Sequence, residues 1–261
     1  MTRMQYLFGD TDIAAHRLEV LAQVFAESTR SFVLDAAVEN PGLVLDLGCG
    51  PGCTTHFLAE LLGCRRIVGL DNSEHFVSVA RKTETPTVSF RLHDVTSVPF
   101  PVGPSDLIYC RFLLTHLREP GPTVEKWATQ LRPRGLLLIE EVESIETDNA
   151  AFTAYLGIVE AMLRHNSQEL YVGPLVDSLD DSHALKKRIS RVTRLRVPND
   201  RAATMFFLNM QSWKARPFVR KNYTQAAISA LEADLRDLMQ QPGGDSRIEW
   251  GLRQAAFERK E

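Results

Sequence analysis

The sequence predicts an α/β fold built around a doubly wound parallel sheet with helices on both faces. The first observation is an apolar run, residues 43–47, which is typical of a strand buried on both faces. The second is a glycine-rich turn directly after it, and the third is the alternation of strand and helix patterns up to residue 142. Such alternation indicates βαβ units, and their right-handed crossovers produce a doubly wound sheet.

Each element follows from its own periodicity. The first part of the chain predicts strand 43–47, helix 54–62, strand 66–70, helix 73–83, strand 88–92, strand 106–110, helix 121–131 and strand 135–142. Before it, residues 11–38 have apolar positions at helical spacing, which predicts one or two helices. The later part predicts helices 149–165 and 174–185, a half-exposed strand 191–197, helices 201–215 and 223–240, and a last strand 248–257. The segment between the last two strands is therefore long and helical.

The turn after the first strand allows a ligand to approach the backbone closely. It carries Asp46 and then, at alternate positions, Gly48, Gly50 and Gly52. Glycine permits φ > 0 and has no Cβ, and the helix that follows presents unpaired N–H groups. A dinucleotide fingerprint would need glycine at position 53, which is Cys53, and no Gly-Lys-Ser/Thr follows to make a phosphate-binding P-loop.

Acidic residues follow the next two strands. Asp71 ends the second strand, where a carboxylate is placed to accept both hydroxyls of a ribose. Asp94 follows the third strand, where an acid could accept a hydrogen bond from the amino group of adenine. This pattern favours a nucleoside-bearing ligand, although either acid could instead cap the helix after it.

Together these residues resemble the class I S-adenosylmethionine (SAM) dependent methyltransferases, within the small-molecule branch of the type 11 and ubiquinone-biosynthesis enzymes. Residues 105–110 resemble the fourth strand of that family, and residues 131–135 resemble the turn before its fifth. The resemblance covers roughly residues 40–142. It implies a Rossmann-like seven-stranded sheet with helical cap insertions, SAM as the cofactor and S-adenosylhomocysteine as the product.

The resemblance also implies a set of binding residues. The cofactor-binding candidates are Tyr6, Arg17, Asp46, Gly48, Gly50, Gly52, Asp71, Asn72, Asp94, Val95 and Arg111. No metal site is expected, because the cysteines and histidines show no ligand spacing.

Methyl transfer from a sulfonium is an in-line displacement that depends on alignment, so a catalytic base is optional. The candidate base is His116, since histidine ordinarily titrates near neutrality, and the alternative is a histidine used in packing. Candidates to contact the acceptor are Glu140, Glu143 and Tyr155, and strand alternation sends Glu140 and Glu141 to opposite faces. No Asn/Asp-Pro-Pro-Tyr/Phe follows the fourth strand, which disfavours the amino groups of adenine, cytosine and glutamine as acceptors.

Charge is distributed unevenly along the 261 residues, whose net charge is −3. Residues 1–149 carry 13 basic and 20 acidic side chains, whereas residues 150–261 carry 17 basic and 13 acidic ones. Residues 186–221 hold eleven Lys/Arg and one acid, Asp200. This basic run predicts either a face for RNA or an anionic substrate, or an ordinary solvated surface, and the overall charge makes nucleic acid unlikely as a partner.

Cysteine usage and hydropathy predict a cytoplasmic protein. The four cysteines, Cys49, Cys53, Cys64 and Cys110, form no zinc pattern and are expected to be free thiols. No signal peptide is visible, and no apolar run approaches the ~20 residues of a membrane span. A monomer or homodimer without a membrane partner is expected.

The chain is predicted to divide into four segments. These are an N-terminal helical arm (1–40), a SAM-binding Rossmann-like core (41–145), a helical cap (146–188), and C-terminal strands and helices that complete the sheet (189–261). The arm around Tyr6 and residues 149–185 are expected to close over the methyl group, with Phe8, Phe152 and Tyr155 among the pocket walls.

The leading functional prediction is a methyltransferase that acts on an oxygen, nitrogen or carbon nucleophile of a small molecule. One alternative is an RNA or protein methyltransferase that uses the basic run 186–221. The other is a SAM-binding protein without catalytic activity.

Overall fold

The computed structural model describes residues 8–36, 40–179, 181, 184–242 and 246–261. The described strands are β1 (Leu43–Leu47), β2 (Arg66–Asp71), β3 (Val88–Leu92), β4 (Ser105–Arg111), β5 (Leu131–Thr147), β6 (Leu185–Arg196) and β7 (Ile248–Arg259). The described helices are α1 (Asp12–Asp35), α2 (Cys53–Leu62), α3 (Glu74–Arg81), α4 (Pro120–Ala128), α5 (Ala150–His165), α6 (Gly173–Ser178), α7 (Asn199–Trp213), α8 (Pro217–Asn222) and α9 (Gln225–Met239), with a 3-10 turn at Leu114–His116.

The seven strands form one sheet in the order β3-β2-β1-β4-β5-β7-β6. Strands β1 to β5 pair in parallel, and β7 runs antiparallel to both β5 and β6. The order reverses at β1, so the carboxyl ends of β1 and β4 flank the crevice where such folds bind ligands. The predicted seven-stranded Rossmann-like fold is confirmed.

Apolar side chains of the central strands alternate between two layers, because successive residues of a strand point to opposite faces. Val44 of β1 joins a cluster with side chains of α1, α2 and α3, whereas Leu45 joins one that contains side chains of α4 and α6. A third cluster joins α1, α5, α7 and α9 to the far halves of β5 and β7. This helical layer lies beyond the carboxyl ends of the parallel strands and covers that edge of the sheet.

The predicted helix 174–185 is wrong beyond Ser178, where α6 ends. Leu185 already pairs with Arg259, and β6 continues to Arg196 with side chains that are mostly half-buried or exposed, as on an edge strand. Residues 185–188 and 146–147, which were predicted as cap, are therefore strand residues. The long antiparallel ladder with β7 decides this, because ladder partners distant in sequence override local helical spacing.

Several cations of the basic run are paired with acids from other elements. Arg191 bonds Asp35 of α1 at 2.6 Å, and Arg194 bonds Glu146 and Glu249 at 3.0 and 3.1 Å. Arg188 pairs with Glu258, and Lys214 pairs with Glu232. Part of the positive charge in this run is thus neutralised locally. Within the described ranges, no helix combines the length and apolar character needed to cross a membrane.

Candidate functional site

A cavity of about 960 Å³ lies between the carboxyl ends of the parallel strands and the helical layer. One end, here called the glycine end, is lined by Gly48, Gly50, Asp71, Asn72 and Asp94. The other end, here called the aromatic end, is lined by Phe25, Phe112, Tyr155, Phe206 and Trp250. A mostly apolar cavity with a few polar groups is the usual form of a small-molecule site.

The glycine loop has a backbone conformation with positive φ that residues other than glycine rarely adopt. Gly48 and Gly50 have φ of 68° and 54°, and both line the cavity. A Cβ on Gly48 would come within 2.9 Å of Leu113 Cδ1, which shows how closely the two loops approach. The backbone of this loop is therefore itself a wall of the glycine end.

Gly52 serves the same turn from behind the cavity wall. It caps α2 with φ of 94°, and a Cβ there would lie 2.6 Å from Phe90 Cζ. It is not among the residues that line the cavity. Packing against the sheet therefore accounts for this glycine, although the sequence grouped it with the cofactor-binding candidates.

Asp71 joins the second strand to the glycine loop. Its Oδ2 accepts from the Gly50 N–H at 2.9 Å, and its Oδ1 accepts from the Ser73 N–H at 2.8 Å. Burial raises the pKa of this carboxyl above its usual 3.8, and the hydrogen bonds oppose the rise. Asp71 thus holds the loop in place while it lines the cavity.

Asp94 and Val95 form the wall beyond β3. Asp94 Oδ1 accepts from the Thr96 backbone N–H at 2.9 Å and from Thr96 Oγ1 at 2.7 Å, which closes a local turn. Val95 O accepts from Trp127 Nε1 at 2.8 Å, so α4 fixes this segment. Both residues line the same cavity as Asn72, as the sequence predicted for a shared site.

Asp46 lies behind the loop and does not line the cavity. Only 2% of the residue is exposed, and its Oδ2 accepts from Thr55 Oγ1 at 2.6 Å. Burial raises the pKa of Asp46 from 3.8 to about 7, while the Thr55 hydroxyl and the charge of Arg111 oppose the rise. Its direct role is to tie β1 to the first turn of α2.

Four basic side chains line the cavity: Arg17, Arg111, Arg118 and Lys126. Arg111 donates to Thr29 Oγ1 at 2.8 Å and to Thr54 Oγ1 at 3.1 Å, which holds it against α1 and α2. The Arg17 guanidinium lies 5.6 Å from the centre of the Phe8 ring. Arg17 and Arg111 were predicted site residues, and the fold brings them together from positions far apart in the chain.

His116 lines the cavity as predicted, but its environment differs from the one expected of a base. Its ring packs edge-on against Phe8 with centroids 5.4 Å apart. Burial, with the positive charge of Arg17 added, lowers the pKa of His116 from 6.5 to about 3. The expectation that this histidine titrates near neutrality is therefore wrong: its imidazole is neutral at physiological pH and is a weak base.

The glutamates of β5 do not line the cavity. Glu140 is fully buried and accepts from Thr29 and Tyr109 at 2.6 and 2.5 Å, and from Gln254 at 2.8 Å. It was predicted as an acceptor contact, but all its bonds go to groups inside the protein.

Glu143, the other predicted acceptor contact on β5, is also engaged elsewhere. Both its oxygens accept from Arg253, at 2.9 and 2.8 Å, and Arg253 also donates to Asp177 of α6 at 2.9 Å. Neither Glu140 nor Glu143 is thus placed to contact a molecule in the cavity.

Glu141 supports the site indirectly. It faces away from Glu140, as strand alternation predicts, and its Oε1 accepts from the backbone N–H groups of Leu113 and Leu114 at 2.7 Å each. Burial raises the pKa of Glu141 from 4.5 to about 8. Through these bonds Glu141 fixes the turn that carries His116.

Tyr155 lines the cavity, as predicted. Phe152, which was expected beside it in the pocket, is fully buried against Phe206 instead, with ring centroids 5.5 Å apart. Phe8 lines the cavity, whereas Tyr6 lies outside the described residues. Helix α5 therefore divides its aromatic residues between core packing and the cavity.

Sequence reasoning missed much of the aromatic end. The missed lining residues include Leu21, Phe25, Phe112, Met205, Phe206, Asn209 and Trp250. Most come from helices and from β7, which only the tertiary fold brings to the cavity. Phe112 has φ of 53°, a strained backbone for a bulky residue, but the sequence carries no signal of it.

Comparisons with known proteins identify the part of the chain that holds the glycine end. Residues 44–135 match the family described as a methyltransferase domain. A trans-aconitate 2-methyltransferase of Delftia acidovorans is 37% identical over 99 residues, which cover 37% of this chain and 37% of that enzyme. Matches to three curated relatives span between 35% and 40% of their lengths, so the likeness is confined to one part of each protein.

Solved structures extend the likeness of fold to most of the chain. The phosphoethanolamine N-methyltransferase 2 of Haemonchus contortus, in complex with phosphomonomethylethanolamine and S-adenosylhomocysteine, superposes with a TM-score of 0.57 at 16% identity. The alignment covers 97% of this chain and 58% of that one. The [4+2]-cyclase SpnF gives the same TM-score of 0.57 at 16% identity, covering 91% and 82%. At such identities the likeness shows the fold alone.

Proposed function

We propose that this chain, whose residues 44–135 form a class I SAM-dependent methyltransferase domain, transfers the methyl group of SAM to a small-molecule acceptor. The observation that carries the proposal is one continuous cavity with a glycine-loop end and an aromatic end. The first suits a nucleoside-bearing cofactor and the second suits an apolar acceptor.

The residues of the glycine end fit SAM. Gly48 and Gly50 leave backbone surface without side chains, and Asp71, Asn72 and Asp94 offer polar groups to ribose and adenine. SAM supplies a methyl group that is already activated by its positively charged sulfur. Arg17 and Arg111 lie between the ends and are candidates to contact the carboxylate of its methionine portion.

The work left to the protein is alignment and exclusion of water. Orientation of two reactants can supply ~7–11 kcal/mol of the barrier. The aromatic end consists of rings from α1, α5, α7, β7 and the turn after β4, which restrict how an acceptor lies and keep water out. His116 takes part as a neutral group at the cavity wall, since its lowered pKa makes it a poor proton acceptor.

We place the lid at Phe8 and in α5, because both line the cavity. Motion of these elements would admit the acceptor and then enclose it. The acids and amines named for the curated relatives, trans-aconitate and phosphoethanolamine, are the first acceptors to compare.

Calorimetry with SAM and S-adenosylhomocysteine tests the proposal, with Gly50→Val as the informative variant. Gly50 has positive φ, and among the described residues a Cβ there would approach only the flexible end of Leu18, at 3.1 Å, so the fold is expected to persist. Strain and lost space should weaken cofactor binding on the order of 100-fold.

Gly157→Val is the matched control, because a Cβ at Gly157 has no neighbour within 4 Å among the described residues. A folded wild-type protein that binds neither ligand would refute the proposal. Binding of SAM without methyl transfer to any metabolite pool would instead favour the non-catalytic alternative. Salt-dependent binding of RNA would favour a macromolecular acceptor held by the basic run.

A further inference from the structure

Arg111 lies beside the glycine loop at the end of β4. In the ladder between β1 and β4, Leu47 pairs with Cys110. Gly48 and Arg111 therefore follow side by side on adjoining strands. Arg111 lines the cavity, and its Nη2 donates to Thr54 Oγ1, in the first turn of α2, at 3.1 Å. The guanidinium is thus placed where a ligand that follows the glycine loop would meet it.

The other described partner of Arg111 is a buried hydroxyl on α1. Arg111 Nη1 donates to Thr29 Oγ1 at 2.8 Å, and Thr29 Oγ1 donates to Glu140 Oε2 at 2.6 Å. Both Thr29 and Glu140 are 0% exposed. Because a hydroxyl has one proton to donate, its bond to Glu140 leaves only lone pairs for Arg111. Glu140 therefore fixes the direction of the Thr29 hydroxyl, and Thr29 in turn holds the guanidinium.

Glu140 is itself held by groups from three elements. Besides Thr29 of α1, Tyr109 Oη of β4 donates to its Oε2 at 2.5 Å, and Gln254 Nε2 of β7 donates to its Oε1 at 2.8 Å. The Gln254 amide also donates to Ser28 of α1, at 3.2 Å to the carbonyl oxygen and 3.0 Å to the hydroxyl. These bonds restrict the carboxylate to one position, and a charged acceptor strengthens each of them.

The contacts of Arg111 leave its charge available to a ligand. A guanidinium has five N–H donors, and the two described hydrogen bonds of Arg111 go to hydroxyl groups rather than to carboxylates. Direct pairing with Glu140 would have satisfied the charge inside the protein, whereas Thr29 lies between the two groups. A carboxylate matches the planar fork of such a guanidinium.

We infer that Thr29 is a positioning residue for cofactor binding: supported by Glu140, it holds the Arg111 guanidinium toward the carboxylate of the methionine portion of SAM. Thr29 itself does not line the cavity. Its effect on binding is therefore expected to pass through Arg111. This inference rests on the proposed function, because it concerns the cofactor of the same cavity.

Calorimetry on the full chain with two ligands tests this inference. S-adenosylhomocysteine carries the amino-acid carboxylate, whereas 5′-methylthioadenosine has the same nucleoside and thioether but lacks that carboxylate. Thr29→Val has nearly the same volume and no hydroxyl, so it should weaken binding of S-adenosylhomocysteine roughly 10-fold. It should leave binding of methylthioadenosine unchanged. Thr29→Ser, which retains the hydroxyl, should bind both ligands like the wild type.

A double-mutant cycle shows whether the effect passes through Arg111. Arg111→Met should weaken binding of S-adenosylhomocysteine on the order of 30-fold, and adding Thr29→Val to it should cause no further loss. Tyr109→Phe is the matched control, because this equally buried hydroxyl bonds Glu140 and Thr29 rather than Arg111. It should keep the wild-type affinity for S-adenosylhomocysteine.

Four results would overturn the inference. They are an unchanged affinity of Thr29→Val for S-adenosylhomocysteine, equal weakening of both ligands, a further loss in the double variant, and the same loss in Tyr109→Phe. If Thr29→Val does not fold, Thr29→Cys takes its place, because a thiol is a weak hydrogen-bonding group. The cycle uses S-adenosylhomocysteine alone, so it decides even if the carboxylate-free ligand binds too weakly to measure.

These outcomes are separate from failure of the proposed function. That failure would show in the wild-type protein, as loss of binding of SAM and S-adenosylhomocysteine or as absence of methyl transfer, before any variant is compared.

Discussion

Neighbouring glutamates of β5 meet opposite environments at the residue scale. Glu140 points toward α1 and accepts from Thr29, Tyr109 and Gln254, whereas Glu141 points toward the turn after β4. One oxygen of Glu141 takes two backbone N–H groups, and the other, Oε2, has no partner among the described residues. A protonated carboxyl suits such a site better than a carboxylate, because burial penalises the charged form.

Glu141 therefore makes stability depend on pH. Its pKa is about 8 in the folded protein against an ordinary 4.5, so the folded state holds a proton that the unfolded state has lost. The stabilisation is complete below about pH 4.5 and is lost as pH rises to about 8. In Glu141→Gln this loss should vanish, so the variant gains on the wild type by up to about 1.4 kcal/mol per pH unit across the window.

Urea denaturation at pH 5, 6, 7 and 8 measures this difference. Glu146→Gln, at the exposed end of the same strand, is the control and should follow the wild type. If the free energies of unfolding of the wild type and of Glu141→Gln changed with pH in the same way, the Glu141 carboxyl would be ionised across this pH range.

At the scale of elements, Arg253 of β7 joins three parts of the fold. It is 9% exposed, bonds both oxygens of Glu143 on β5, and bonds Asp177 of α6. The helix packs closely there, since a Cβ on Gly173 would lie 2.5 Å from Glu143 Oε2. Arg253 thus anchors α6 to the antiparallel edge of the sheet.

Arg253→Met should lower the free energy of unfolding by about 3 kcal/mol, because it leaves Glu143 largely buried without its partner. Arg194→Met is the matched control: Arg194 on β6 also bonds two acids, Glu146 and Glu249, but its side chain is 58% exposed. Exposed pairs contribute about 0–1 kcal/mol. Chemical denaturation of the three proteins gives both values, and equal losses for the two variants would contradict the anchoring role.

At the scale of the whole molecule, the cavity lies between the sheet and the helical layer. Different interactions hold these two sides in place. The sheet side is held by β-ladders and by the Asp71 bonds to the glycine loop. The other side consists of α1, α5 and α7, which are held to the sheet by an apolar cluster that also includes residues of β5 and β7. Elements that are not joined to the sheet by β-ladder hydrogen bonds unfold locally at a lower free-energy cost.

Ligand binding should therefore protect the helical side most. Hydrogen exchange with and without S-adenosylhomocysteine is expected to slow in the first half of α1 and in α5, which line the cavity, more than in α9, which does not. The same protection in α9 as in α5 would indicate general stabilisation rather than closure of a lid.

The sequence by itself determined the sheet and its glycine end. The sequence signals for this part are local. A buried strand, a positive-φ turn and an acid at a strand end are each determined by a few consecutive residues, as in strands β1 to β4, the glycine loop, Asp71 and Asp94. The βαβ order then dictates that these strand ends meet at one edge. Gly48, Gly50, Asp71, Asn72, Asp94, Val95 and Arg111 line one cavity for this reason.

Only the tertiary structure decided the aromatic end and the roles of the buried acids. Phe25, Phe206 and Trp250 belong to three elements and lie more than forty positions apart in the sequence, so no spacing predicts their contact. Glu140 and Glu143 were misjudged because their partners, Gln254 and Arg253, come from β7, over a hundred residues later. The low pKa of His116 likewise depends on burial and on Arg17, and both exist only once α1 has packed over the strand ends.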